Sequence, residues 1–209
     1  MKIGRILYPV HVLGPGKRVG IWMAGCDRHC PGCANPELWE AKDEQEISPA
    51  DCKQLLQQLY CSVKGEIDGF TISGGEPFLQ KEELYELVLF LRTISEDILV
   101  FSGYTGEEWQ ADETAAGILD NIAVLVDGEY REQENLGEIL RGSANQRIYY
   151  RNPDVAALYE RYLKEHEGQH MVETFQVSDG IVAVGIHKKD FRVALQRQLE
   201  KKQLERLEE

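Results

Sequence analysis

The 209-residue chain has no apolar run approaching the roughly 18 consecutive residues that a membrane helix requires, so no membrane partner is expected. It also lacks a secretory apolar region, because Pro9, Gly14, Pro15 and Gly16 interrupt the N-terminal segment; the expectation is a cytoplasmic protein. Positive charge is scarce. With 23 basic against 36 acidic residues the net charge is -13, which repels nucleic acid and gives no sign of an anionic membrane surface as partner. No internal repeat, low-complexity tract or linker rich in proline or serine divides the chain, and 43% hydrophobic content supplies a core for one domain of ordinary size with a small appendage. Cysteine is sparse as well, five in all, yet three of them crowd into "CDRHCPGC" at residues 26–33. No fourth cysteine stands beside them.

Cytosolic thiols are kept reduced, and spacings of three and two residues are typical of metal ligation, so Cys26, Cys30 and Cys33 point to metal and not to a disulfide framework. A structural zinc ion closes four ligands. Here the loop offers three cysteines and His29, whose place directly before Cys30 makes simultaneous ligation awkward; a fourth ligand from a distant residue such as His11 stays open. Iron-sulfur cubes are held by thiolates, one per iron, so three cysteines leave one iron free to bind a small molecule. Lys17, Arg18, Arg28 and His29 gather around "VGIWMAG", and local positive charge favours thiolates. Cys52 and Cys61 lie in a helical pattern and read as small hydrophobes outside the site.

Along the chain, apolar runs and helical periods alternate. "VGIWMAG" (19–25) is expected as the first strand, and Ser48 as N-cap with Pro49 and Asp51 behind it opens a helix to about Val63. "IDGFTI" (67–72), "DILVF" (97–101) and "IAVLV" (122–126) read as strands, separated by a helix over "KEELYELVLFLRTI" and a weaker one over "GEEWQADETAAGILD". The order predicts an α/β fold with a parallel sheet. In such sheets ligands gather beyond the carboxyl ends of the strands, which places "GCDRHCPGC", "SGGEP", "SGYTG" and "VDGEY" on one rim. Beyond Tyr150 the pattern changes to an amphipathic helix, a hairpin turning at Ser178, Asp179 and Gly180, and a charged final helix with Phe191, Leu195 and Leu199 on one stripe and Leu204 and Leu207 drifting off it.

The cysteine spacing on a loop after the first strand resembles the radical S-adenosylmethionine superfamily, and "TISGGEP" (71–77) resembles that superfamily's motif for the methionine amino group. Further matches are "YPV" (8–10), "GPGKR" (14–18), Asn35, Trp39, "SGY" (102–104), "VLVDGEY" (124–130) and "RGSANQR" (141–147). Together, over about residues 6–150, they resemble the family of activating proteins of anaerobic ribonucleoside-triphosphate reductases. That resemblance implies an incomplete (β/α) barrel over residues 1–150, with a C-terminal α/β extension over 151–209 that the short form of the family lacks. It implies a 4Fe-4S cluster on Cys26, Cys30 and Cys33, which passes one electron to S-adenosylmethionine and releases a 5'-deoxyadenosyl radical. That radical then takes a hydrogen atom from a glycine of the large reductase subunit. The implied cofactor contacts are Gly32, Cys33, Ala34, Gly74, Gly75 and Glu76, with Ser102, Asp127 and Asn145 beside them; a low-potential electron donor, not identified by the sequence, is also implied. Gly32 stands where many members of the superfamily carry an aromatic residue, and Ala34 and Ala144 replace a tyrosine and a serine of the family. Two other readings stay in view: the same chemistry aimed at another glycyl radical enzyme or a peptide, and a zinc-stabilised interaction module that docks a partner through its acidic surface.

Overall fold

The computed structural model describes residues 1–177, 180–188, 191 and 193–198. Six strands form one sheet in chain order: β1 (Ile3–Val10), β2 (Arg18–Met23), β3 (Gly69–Gly74), β4 (Ile98–Phe101), β5 (Val124–Asp127) and β6 (Arg147–Tyr150). Strands β2 to β5 run parallel, whereas β1 and β6 are antiparallel to their neighbours. Helix α1 (Pro49–Ser62) links β2 to β3, α2 (Lys81–Leu91) links β3 to β4, and the short α3 (Gly106–Gln110) and α4 (Glu113–Leu119) link β4 to β5. This is the mixed α/β fold with a mostly parallel central sheet that the alternating pattern predicts.

Alternation along each strand feeds two cores. Ile21, Met23, Phe70, Ile72, Ile98, Val100 and Leu125 join residues of α1, α2 and α4 in the main cluster. Trp22, Leu99, Val124 and Val126 belong to clusters on the other face, completed by Tyr159 and Tyr162 of α5 (Pro153–Glu165) and by Val184 of the antiparallel hairpin β7 (Val172–Val177) and β8 (Gly180–Gly185). Both faces of a parallel sheet need cover. The C-terminal extension therefore packs onto the sheet through α5 and the hairpin.

Local signals set the boundaries. Ser48 Oγ accepts the Asp51 N–H at 3.1 Å and Pro49 fills the first helical position, which starts α1 as expected. The segment "GEEWQADETAAGILD" forms two helices instead of one because Asp112 caps α4, its Oδ1 accepting the Ala115 N–H at 3.0 Å. "VGIWMAG" supplies β2 and not the first strand: β1 precedes it at the sheet edge, half-exposed along almost its whole length, so it lacks a clean apolar alternation. The four-residue β6 escapes the pattern for the same reason. Among the described residues no helix is long and apolar enough to cross a membrane. Ser178 and Asp179 of the expected hairpin turn, and Leu199, Leu204 and Leu207 of the expected terminal stripe, lie outside the described residues.

Candidate active site

Because β2, β3, β4 and β5 are parallel, the segments that leave them converge on one edge. Cys26, Cys30, Gly32, Cys33 and Ala34 after β2, Ser73 to Glu76 at the end of β3, Ser102 and Gly103 after β4, and Gly128 and Tyr130 after β5 line a single cavity of about 510 Å³. Its size and its position at the carboxyl ends of parallel strands are those of a small-molecule site.

The cysteine loop is fixed by its backbone. Gly25 N–H donates to Leu38 O at 2.8 Å, Cys26 N–H to Trp39 O at 2.9 Å, and Cys33 N–H closes a turn onto Cys30 O at 3.1 Å. Each thiol in turn accepts backbone hydrogen bonds: Cys26 from Arg28 and His29, Cys30 from Tyr130, and Cys33 from Asn35 at 3.4 Å. Burial pushes the Cys26 and Cys30 thiols above their ordinary pKa, and these N–H donors offset part of the rise. Binding a metal group here must therefore displace protons. Of the basic cluster seen in the sequence, only Arg28 and His29 stay near the thiols. Lys17 pairs with Glu66 and Arg18 with Asp97, because β2 carries Arg18 roughly 17 Å from Met23 at the usual rise per residue.

The "SGGEP" turn is built against that loop. A Cβ at Gly74 would lie 2.2 Å from Met23 O and one at Gly75 2.1 Å from Gly25 O, so both positions exclude any side chain. Gly75 N–H donates to Met23 O at 2.7 Å and Glu76 N–H to Gly25 O at 2.8 Å, tying the two motifs together. Glu76 is buried, and its carboxylate accepts from Gly103 N–H at 2.7 Å, Ser102 Oγ at 3.0 Å and Phe78 N–H at 3.2 Å. Burial raises its pKa to about 7, against the pull of those three donors.

The remaining expected residues divide. Ser102 lines the cavity, and its hydroxyl contacts Glu76 while accepting the Tyr104 N–H and the Trp109 Nε1–H, each at 3.1 Å. Asp127 is fully buried and occupied: Arg147 donates to both of its oxygens at 2.9 and 2.7 Å, and Gly106 N–H to Oδ2 at 2.7 Å. Asn145 Nδ2 donates to Glu129 O at 2.8 Å, leaving a buried Oδ1 with no hydrogen-bond partner among the described residues. Neither Asp127 nor Asn145 is among the residues that line the cavity. Cys52 is buried in the main core, its thiol pushed up to about 11 by burial, and Cys61 is exposed; both stand apart from the site.

Other residues line the cavity without having been singled out from the sequence. Gln146 shapes the loop before β6, its Nε2 donating to Gly128 O and its Oε1 accepting from Gly142 N–H, both at 2.8 Å. Asn135 Nδ2 donates to His187 O at 2.7 Å and to Tyr130 Oη at 3.0 Å. Gly185 to Lys188, Phe191 and Val193 of the extension complete the wall. The "RGSANQR" stretch carried a signal for Gln146; nothing local could have signalled the extension's part.

The donor set fits an iron-sulfur cluster. Three thiols line one cavity, each already holding N–H donors of the kind that tune cluster potential, and Arg28 Nε and Trp39 Nε1 on the wall are buried without hydrogen-bond partners among the described residues. Among the described residues no group of three or more His, Cys, Asp and Glu side chains is placed to hold a single metal ion. Residues 12–149 match a family described as a 4Fe-4S single cluster domain. The chain is 33% identical over 148 residues to the anaerobic ribonucleoside-triphosphate reductase-activating protein of Enterobacteria phage T4, covering 68% of this chain and 90% of that protein. It is 31% identical over 150 residues to the protein of the same name from Escherichia coli (strain K12), covering 68% and 95%. A shorter likeness, 36% over 77 residues, links it to the pyruvate formate-lyase-activating enzyme of Streptococcus mutans, covering 35% of this chain and 28% of that enzyme. With its cysteine loop, glycine turn and parallel rim in the places described, this chain belongs to the family of anaerobic ribonucleoside-triphosphate reductase-activating proteins, within the radical S-adenosylmethionine activases.

Proposed function

We propose that the chain generates a glycyl radical on the large subunit of an anaerobic ribonucleoside-triphosphate reductase, using S-adenosylmethionine and a low-potential electron donor in the cytosol. The observation that carries this reading is the convergence of Cys26, Cys30 and Cys33 with Gly74, Gly75 and Glu76 on one cavity. In it, the three thiolates hold three irons of a 4Fe-4S cluster, and Gly32, Ala34, the glycine turn and Glu76 hold the cofactor. When bound, cluster and cofactor together supply the electron and the radical that takes a hydrogen atom from glycine.

The chain's own residues supply position. The two backbone bonds from Gly75 and Glu76 into the cysteine loop keep the ligand loop and the turn from moving independently, which is the pre-organisation such chemistry needs. A buried carboxyl whose pKa lies about 7 accepts an ammonium group readily, since the incoming positive charge offsets the burial that raised it. Ser102 acts through Glu76, and Asp127 and Asn145 hold the loops around β5 and β6. We read the six-stranded sheet with its crossover helices as the incomplete barrel, with residues 1–150 as the activase domain and 151–209 as its extension.

Anaerobic reconstitution tests the first half of this proposal: a brown protein with iron and sulfide is expected, and a colourless one with stoichiometric zinc would point back to an interaction module. Adding reductant, S-adenosylmethionine and the host reductase is expected to give a glycyl electron-spin signal; silence from a competent reductase refutes the assigned target. A second reading, activation of another glycyl radical enzyme or a peptide, is favoured by the short likeness to a pyruvate formate-lyase-activating enzyme. A signal from such a partner alone would establish it.

A further inference from the structure

We infer that the C-terminal extension completes the cofactor cavity, with the His187 and Phe191 rings forming the platform for the purine end of S-adenosylmethionine; this rests on the radical-activase reading above. The family match ends at residue 149, yet the cavity wall continues into residues 185–188, 191 and 193. The segment is seated on the matched body by Asn135, whose Nδ2 bridges Tyr130 Oη and His187 O. A second contact lies nearby, where Gly137 at φ 69° packs so closely that a Cβ there would meet His170 at 2.7 Å and Lys188 at 2.9 Å.

His187 and Phe191 stack with centroids 4.2 Å apart and planes 20° apart. Phe191 is half-buried and joins none of the hydrophobic clusters among the described residues. Elsewhere on the wall, Trp39 lies 4.9 Å from the His29 ring, Phe101 packs into two core clusters, and the Tyr130 hydroxyl is held by Asn135. A ring pair outside the core, facing a cavity whose opposite business is metal and amino-acid recognition, suits a flat aromatic ligand group. The cofactor has one such group, its purine. Stacking of a base on an aromatic side chain carries enough free energy that losing the ring weakens binding about tenfold.

The test is a titration of the reduced, reconstituted protein with S-adenosylmethionine, followed by the electron-spin spectrum of the cluster. For Phe191→Ala the expected result is the same saturated spectrum as wild type with a midpoint about tenfold higher, and Phe191→Trp is expected to restore the midpoint. Phe191→Leu keeps the apolar fill without the ring, and answers the question if the alanine variant does not fold. Unchanged midpoints in the ring-less variants overturn the inference, as does an altered saturated spectrum, which would place Phe191 at the cluster end. A wild-type cluster whose spectrum ignores the cofactor refutes the radical reading itself, a separate outcome.

Discussion

The two edges of the parallel sheet treat buried polar groups in opposite ways. At the amino edge Arg18 is fully buried and its guanidinium is saturated: Nε donates to Thr71 Oγ1 at 2.7 Å, Nη1 to Asp97 Oδ2 at 2.7 Å and Pro15 O at 3.1 Å, and Nη2 to Phe70 O at 2.5 Å. Tyr159 of α5 adds its hydroxyl to Asp97 Oδ1 at 2.7 Å, tying the extension into the same network. At the carboxyl edge the thiols accept one or two N–H groups each; among the described residues, buried Glu76 pairs with no cation, and Arg28 Nε and Trp39 Nε1 have no hydrogen-bond partner. A buried polar group left short of partners costs stability, and proteins tolerate that cost where a ligand will supply the missing interaction. The amino edge satisfies its polar groups within the chain, and the carboxyl edge leaves several short of partners, as the proposed cofactor site requires.

Breaking the carboxyl edge at its ligands is expected to have the largest effect. Alanine at any one of Cys26, Cys30 or Cys33 should abolish cofactor cleavage and lower the iron content, because each thiolate is assigned one iron. Cys52→Ala, in the core between these edges, should retain iron and lose about 1–2 kcal/mol of stability. Iron analysis beside denaturant unfolding checks both, and a Cys52 variant without iron would overturn the ligand assignment.

Breaking the amino edge should instead cost stability. Arg18→Leu leaves Asp97 buried beside α5 without its cation, at an expected cost of about 3–5 kcal/mol in urea unfolding. A loss of under about 1 kcal/mol would mean that Asp97 is hydrated once Arg18 is gone. Cluster content should persist in whatever fraction folds, since no thiol touches this network.

Glu76 sharpens the contrast through pH. Its folded pKa is raised by burial to about 7 from an ordinary 4.5, so the folded chain holds this proton more tightly than the unfolded one. The favourable contribution of the neutral form is present below pH 4.5 and is lost as pH rises through 7, an effect of about 3 kcal/mol across the window. Urea unfolding of wild type and Glu76→Gln at pH 5 and pH 8 should show the difference moving by about 2–3 kcal/mol in the variant's favour at the higher pH. An equal difference at both values would show that Glu76 titrates as an ordinary carboxylate.

Much of this architecture was legible in the sequence where a short-range rule carried it. The Ser48 cap, the period of α2, the alternating apolar runs and the glycine turn all report local geometry, and the parallel order then brings the four loops to one rim. Strands β1 and β6 were not legible, because half-exposed edges need no strict alternation. Nor could the sequence tell that the Asp127 carboxylate is taken by Arg147, twenty positions on, or that Lys17 and Arg18 sit a strand's length from the thiols. Those facts depend on where a side chain finds its partner. The extension's contribution to the cavity is more distant still, resting on the contact from Asn135 to His187.

Within the two networks, the smallest expected effects come from two hydroxyls, one in each. Thr71 Oγ1 donates to Leu13 O at 2.8 Å and accepts from Arg18, so Thr71→Val removes a hydrogen bond to a charged group and should cost about 2 kcal/mol, with no pH dependence between 5 and 8. Ser102 donates to Glu76 Oε1 and accepts from Tyr104 and Trp109, and Ser102→Ala should cost about 1 kcal/mol. Their pH behaviour differs for a physical reason. The Ser102 hydroxyl is one of the three donors that restrain the Glu76 pKa, so its loss should move the Glu76 midpoint upward, whereas Thr71 faces a guanidinium that does not titrate in this range. A Ser102→Ala variant whose midpoint stays at the wild-type value would remove Ser102 from its positioning role and leave direct contact with the cofactor as the reason it lines the cavity.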